Sequence, residues 1–163
     1  MKIALGCDHR GFSAKQELLP QFQTLGYRIE DFGCHSVSSI DYPDIAYPLA
    51  VAVASNECDL GILLGGSGMG MNMVANKLHG VRAAAVQDEF TARCARENYH
   101  CNIISIGVDL VGGKDVRKII EAFLLATVAA GRHARRIEKL RQIEELLIQL
   151  NALNHNPPLV SLV

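Results

Sequence analysis

The sequence predicts a three-layer α/β/α sandwich around a five-stranded parallel sheet, and three observations carry that reading. Short runs of strand length alternate five times with stretches of helical periodicity. The strand-like runs are apolar nearly throughout rather than at every second residue, the pattern of strands covered by helices on both faces. At 163 residues, 49% of them hydrophobic, the chain is long enough for one domain with a substantial core. A repeat of this kind builds a parallel sheet with right-handed crossovers. Five units give the common strand order 2-1-3-4-5.

The first element is KIALGC (2–7). Its apolar run is short and reaches Asp8 at once, so it reads as a buried strand rather than a signal peptide. A helical stretch over 11–25 follows, with Pro20 expected to kink or shorten it. YRIEDFG (27–33) is the second strand, and 43–56 the second helix. LGILLGG (60–66) leads through the turn GGSGMG (65–70) into helical periodicity over 70–79. VRAAAV (81–86) precedes a helix over 88–98, and NIISIG (102–107) precedes one over 113–130.

Beyond Gly131, Ile137, Leu140, Ile143, Leu147 and Leu150 recur at helical spacing in an otherwise charged segment. Such a helix is expected to lie over another surface, a partner subunit included. Residues 1–150 are read as a single domain, and 151–163, with Pro157 and Pro158, as an irregular tail.

A formal net charge of −1 gives no global field for nucleic acid or an acidic membrane surface. No apolar stretch approaches the roughly 20 residues that span a bilayer. The five cysteines are odd in number, without CxxC or zinc-ligand spacing. They are read as free thiols of a reducing, cytoplasmic compartment.

In an open parallel sheet a ligand binds outside the carboxyl ends of the strands, where the strand order reverses. That point lies between the first and third strands. It sets Cys7-Asp8-His9-Arg10-Gly11 across a crevice from Gly65–Gly70. Glycines there let backbone N–H groups converge, the following helix adds its positive end, and Ser67 offers a hydroxyl. A phosphate or an enediolate oxygen suits such a turn, whereas the nucleotide motifs GxxxxGK[ST] and GxGxxG do not match it. The plain alternative is a tight strand-to-helix turn that needs glycine for packing. Asp8 and His9 equally suit a local cap on the first helix. Arg132 and Arg136, four residues apart on one helix face, suit either a phosphate clamp or a solvated surface.

Four segments occur in a telling order: KIALGCDHRGF, DYPDIA (41–46), GILLGGSGMG…ANK (61–77) and GRHARRI (131–137). Together they resemble the type B ribose-5-phosphate isomerases and the galactose-6-phosphate isomerase subunits, over residues 1 to about 148. The resemblance implies a Rossmann-like fold, with the last helix at a subunit interface. It implies a homodimer or dimer of dimers whose active sites are shared between subunits, with no metal and no organic cofactor. The implied reaction is aldose–ketose isomerisation of a phosphorylated sugar, ribose 5-phosphate foremost, through a cis-enediolate.

Position by position, Asp8 and His9 correspond to the family's Asp-His pair, which contacts the sugar. Tyr42 corresponds to the tyrosine of its Asp-Tyr-Pro motif. Gly66, Ser67, Gly68, Met69 and Gly70 correspond to the family's anion-hole turn, and Arg132 and Arg136 to its phosphate-binding arginines from the second subunit. The bases do not carry over. The family's cysteine stands where this chain has Gly65, and its alternative glutamate where it has Met71. The ring-opening histidine corresponds to Asn98, with His100 two residues along, and a phosphate-side arginine to Asp109, whose charge would repel a phosphate. Three readings remain open: an isomerase whose base is Asp8, His100 or Cys101, the last two reaching across the interface; an isomerase of another sugar; or a silent sugar-phosphate binder, alone or as one subunit of a mixed assembly.

Overall fold

The computed structural model describes residues 1–112 and 115–153. They divide into two compact units, one ending at Ala129 and one beginning at Ala130. The first holds β1 (Lys2–Cys7), α1 (Phe12–Thr24), β2 (Arg28–Asp31), α2 (Pro43–Ala54), β3 (Leu60–Gly65), α3 (Met69–Ala75), β4 (Ala83–Val86), α4 (Glu89–Tyr99), β5 (Ile103–Gly107) and α5 (Val116–Leu124). The described part of the second holds α6 (Arg132–Leu153).

All strand pairs are parallel, in the order β2-β1-β3-β5-β4. The α/β sandwich is as expected, and the last two strands are exchanged. Side-chain burial explains the exchange. Every residue of β5 is buried, whereas β4 is four short residues of which only Val86 is. The more apolar strand takes the interior and the alanine strand the edge, where the Asn76 side chain bonds both the N–H and the C=O of Ala83.

Successive side chains alternate between two cores. Ile3, Leu5, Ile62, Leu64, Ile104 and Ile106 pack with α1, α4 and α5. Ala4, Leu63 and Ile103 pack with α2 and α3 on the other face. Lys15, fully buried in α1, is held by both carboxylate oxygens of Asp31 at 2.6 and 2.8 Å and by the Cys34 carbonyl at 2.8 Å.

Three element ends differ from expectation. The first helix, which Pro20 was expected to kink or shorten, is not cut short at it and runs from Phe12 to Thr24, with Pro20 on its exposed side. The third helix stops at Ala75, where Lys77 and Leu78 switch to bonds three residues back. The fifth stops at Leu124, and Ala129 N–H bonds the Glu97 carbonyl instead. Residues 113 and 114 of that expected helix lie outside the described residues, as do 154–163 of the expected tail, whose first three residues extend α6. Among the described residues no helix is long and apolar enough to cross a membrane.

Candidate active site

The strand order reverses between β1 and β3, which by the switch-point rule puts the ligand crevice outside their carboxyl ends. Asp8 N–H bonds the Leu64 carbonyl at 3.1 Å, which ties the end of β1 to β3. The Asp8 carboxylate is held by one oxygen. Oδ1 accepts from Arg10 N–H at 2.8 Å and Gly11 N–H at 3.1 Å. Oδ2 lies 2.9 Å from the point a Cβ at residue 65 would occupy, with the Met71 sulfur 3.1 Å from the same point. The missing side chain of Gly65 thus makes the space into which this oxygen projects. His9 Nδ1 accepts from Ile40 N–H at 3.4 Å, which in a neutral ring leaves the proton on Nε2.

The glycine turn is stitched onto the end of β5. Gly68, in the left-handed region at φ 72°, gives its carbonyl to the buried Ser105 hydroxyl at 2.7 Å. Val108 and Asp109 donate their N–H groups to the Gly65 and Gly66 carbonyls at 2.8 and 3.1 Å. Across a planar trans peptide the C=O and N–H point oppositely. The N–H groups of Gly66 and Ser67 therefore point away from β5. Ser67 Oγ accepts from Met69 N–H at 3.3 Å, leaving the exposed hydroxyl its proton to donate. The Tyr42 ring lies flush on Gly70, 2.8 Å from where a Cβ would stand.

Arg10 and Asp109 lie over Gly66. Nε and Nη2 of Arg10 both reach Asp109 Oδ2, at 3.0 and 2.9 Å. The repulsion expected of Asp109 is therefore opposed by a guanidinium in direct contact. Sequence reasoning missed this pair because the expected order puts β4, not β5, beside β3.

Asn98, His100 and Cys101 lie elsewhere. They sit at the amino-terminal end of β5, so the strand separates them from Gly107 by about 13 Å at 3.3 Å per residue. Asn98 faces a groove against β4, with Phe90 and Cys94. His100 ends α4 with φ 51°, its Nε2 2.9 Å from the Ala129 carbonyl and its own carbonyl bound by Arg82. Cys101 belongs to the core, and burial pushes its thiol up to about 11. Arg132 and Arg136 stand exposed, one turn apart, in the first turns of α6.

Fold and crevice define a doubly wound α/β protein in which a carboxylate faces a glycine-rich turn. Comparison with known proteins makes the class specific. The profile of the family described as Ribose/Galactose Isomerase matches residues 3–140. Ribose-5-phosphate isomerase B of Escherichia coli is 38% identical over 144 residues, which cover 88% of this chain and 97% of that protein. D-erythrulose-4-phosphate isomerase of Pectobacterium atrosepticum is 34% identical over 145 residues, covering 88% and 95%. The solved structure of Clostridium thermocellum ribose-5-phosphate isomerase B is 40% identical, with a TM-score of 0.86 over 90% of this chain and 99% of that one. The chain belongs to the ribose/galactose isomerase family.

Proposed function

We propose that the chain is an aldose–ketose isomerase of a sugar phosphate, interconverting ribose 5-phosphate and ribulose 5-phosphate with Asp8 as the proton carrier. The observation that carries this reading is the Asp8 Oδ2 projecting into the space left by Gly65. Two backbone N–H bonds on Oδ1 fix the carboxylate while Oδ2 faces the turn. In the open-chain aldose, Oδ2 takes the proton from C2, and the C2–H electron pair forms the C1=C2 bond as charge moves to O1. Proton transfer between O2 and O1 and return of the carried proton to C1 give the ketose. Gly66 N–H, Ser67 N–H and the Ser67 hydroxyl stabilise the enediolate oxygens, and His9 Nε2–H and Tyr42 orient the sugar. Gly68, Met69 and Gly70 shape the turn. Cys101 carries no proton in this scheme, because its buried thiol is held protonated.

The working unit in this reading is a homodimer, alone or paired into a tetramer, with Asn98, His100, Arg132 and Arg136 supplied by the second copy. Two features support it. One copy cannot bring the amino end of β5 to its carboxyl end, and α6 leaves Leu140, Ile143, Leu147 and Leu150 about half exposed.

Incubation with ribose 5-phosphate in D₂O, followed by proton NMR, tests the reaction. Deuterium entry and ribulose 5-phosphate formation are expected, with a loss of roughly 10³-fold in Asp8→Asn, the scale of a removed general base. Binding without exchange across a panel of aldose phosphates would instead make the chain a silent sugar-phosphate binder. Exchange that survives in Asp8→Asn would move the base elsewhere.

A further inference from the structure

We infer that Arg10, held in place by Asp109, is a specificity-determining residue that reads the anionic end of the substrate. This rests on the isomerase reading above. Gly66 shows the placement. A Cβ there would stand 3.1 Å from Asp109 Oδ2 and 3.4 Å from Arg10 Cγ. Its neighbour Gly65 faces Asp8 Oδ2, and consecutive Cα atoms are about 3.8 Å apart. A guanidinium therefore sits one residue along the turn from the reacting carboxylate. That is within reach of the far end of a four- or five-carbon open-chain sugar whose C1–C2 edge lies at Asp8.

The pair is built for presentation rather than for closure. Nε and Nη2 occupy one edge of the guanidinium, and both are spent on a single oxygen of Asp109. The Nη1–Nη2 edge remains to donate, on a side chain that is 58% exposed. Asp109 is itself anchored by its N–H on the Gly66 carbonyl. A planar fork fixed on one edge offers the other to an oxyanion at little further entropic cost, which a mobile surface arginine does not. The acid after β5 is thus a positioning residue for Arg10, and the positive charge of this lip comes from the loop after β1.

Deuterium exchange at C2, with kcat and KM, is measured for wild type, Arg10→Ala, Arg10→Lys, Asp109→Asn and the double variant. The substrates are ribose 5-phosphate and unphosphorylated ribose. Arg10→Ala is expected to raise KM for ribose 5-phosphate roughly 10- to 100-fold, the range of a hydrogen bond to a charged group. Its kcat should hold, and its kcat/KM for ribose should be unchanged. Arg10→Lys should recover part of the loss, Asp109→Asn should show a smaller rise, and the double variant should match Arg10→Ala. Equal losses for the two sugars, an unchanged KM, or tighter ribose 5-phosphate binding in Asp109→Asn would overturn the inference. Calorimetric titration with ribose 5-phosphate decides it separately from turnover. An inactive wild type that binds, with Arg10→Ala binding at least tenfold more weakly, would sink the isomerase reading and keep this one. Equal binding by both, or none by wild type, would sink this one.

Discussion

At the scale of the residue, the site turns on what position 65 lacks. A side chain there would begin 2.9 Å from Asp8 Oδ2 and 3.1 Å from the Met71 sulfur. Both neighbours are ends of flexible side chains, so an added methyl displaces them rather than breaking the strand. Gly65→Ala is therefore expected to keep the fold and spoil the chemistry. A reacting oxygen pushed off by about 1 Å costs on the order of 10²-fold in rate. Kinetics and thermal unfolding of the same preparation check this: kcat should fall by about that factor while the midpoint moves by only a few degrees. An unchanged kcat would remove Asp8 Oδ2 as the proton carrier. That Gly65 stands where the resemblance led one to expect a cysteine was plain in the sequence. That the vacancy faces Asp8 was not, because it depends on β1 and β3 pairing in a register that sets Cys7 opposite Leu64.

At the scale of the element, β5 does more than fill the sheet. Its Ser105 hydroxyl, and the N–H groups that follow it at Val108 and Asp109, take up the carbonyls of Gly68, Gly65 and Gly66. The glycine turn is fixed from one side, with its N–H groups turned to the other. The fold class was legible because apolar runs and helical periods alternate cleanly, and the crevice was legible because its position depends only on the first three strands. The order of the last two strands was not. Both follow a helix and both read as strands, and only the burial of IISIG against AAAV separates them. That one exchange hid the Arg10–Asp109 pair, since a loop after β5 reaches Gly66 only if β5 lies beside β3. Helix ends were less legible still. Ala75 gives way to a turn, and Leu124 to a segment whose Ala129 N–H bonds the Glu97 carbonyl, which no periodicity announces.

At the scale of the whole molecule, buried thiols set a limit on alkaline stability, and the proposed sharing of the site between two copies makes a testable demand on assembly. Burial raises the Cys101 thiol from 9.0 to about 11, and burial with the nearby Glu30 carboxylate does the same for Cys58. Between pH 9 and 11 the unfolded chain has released these protons and the folded chain still holds them. Folding stability therefore falls as pH rises, by up to about 1.4 kcal/mol per pH unit for each thiol. Denaturant midpoints at pH 8 and 10.5 should show the fall, and Cys101→Ala should show a shallower one; identical slopes would mean that the Cys101 thiol contributes nothing. Assembly has a sharper test in the mixing of two inactive variants, Asp8→Asn and Arg136→Ala. If each site joins Asp8 of one copy to Arg136 of the other, a mixed dimer carries one site with both defects and one with neither. Unfolding and refolding the two variants together in equal amounts makes half of the dimers mixed, so activity should return to about a quarter of wild type. If each copy builds its site alone, every site keeps one defect and no activity returns. Recovery would therefore identify the second copy as the source of the phosphate arginines, and its absence would return Arg136 to the same chain as Asp8.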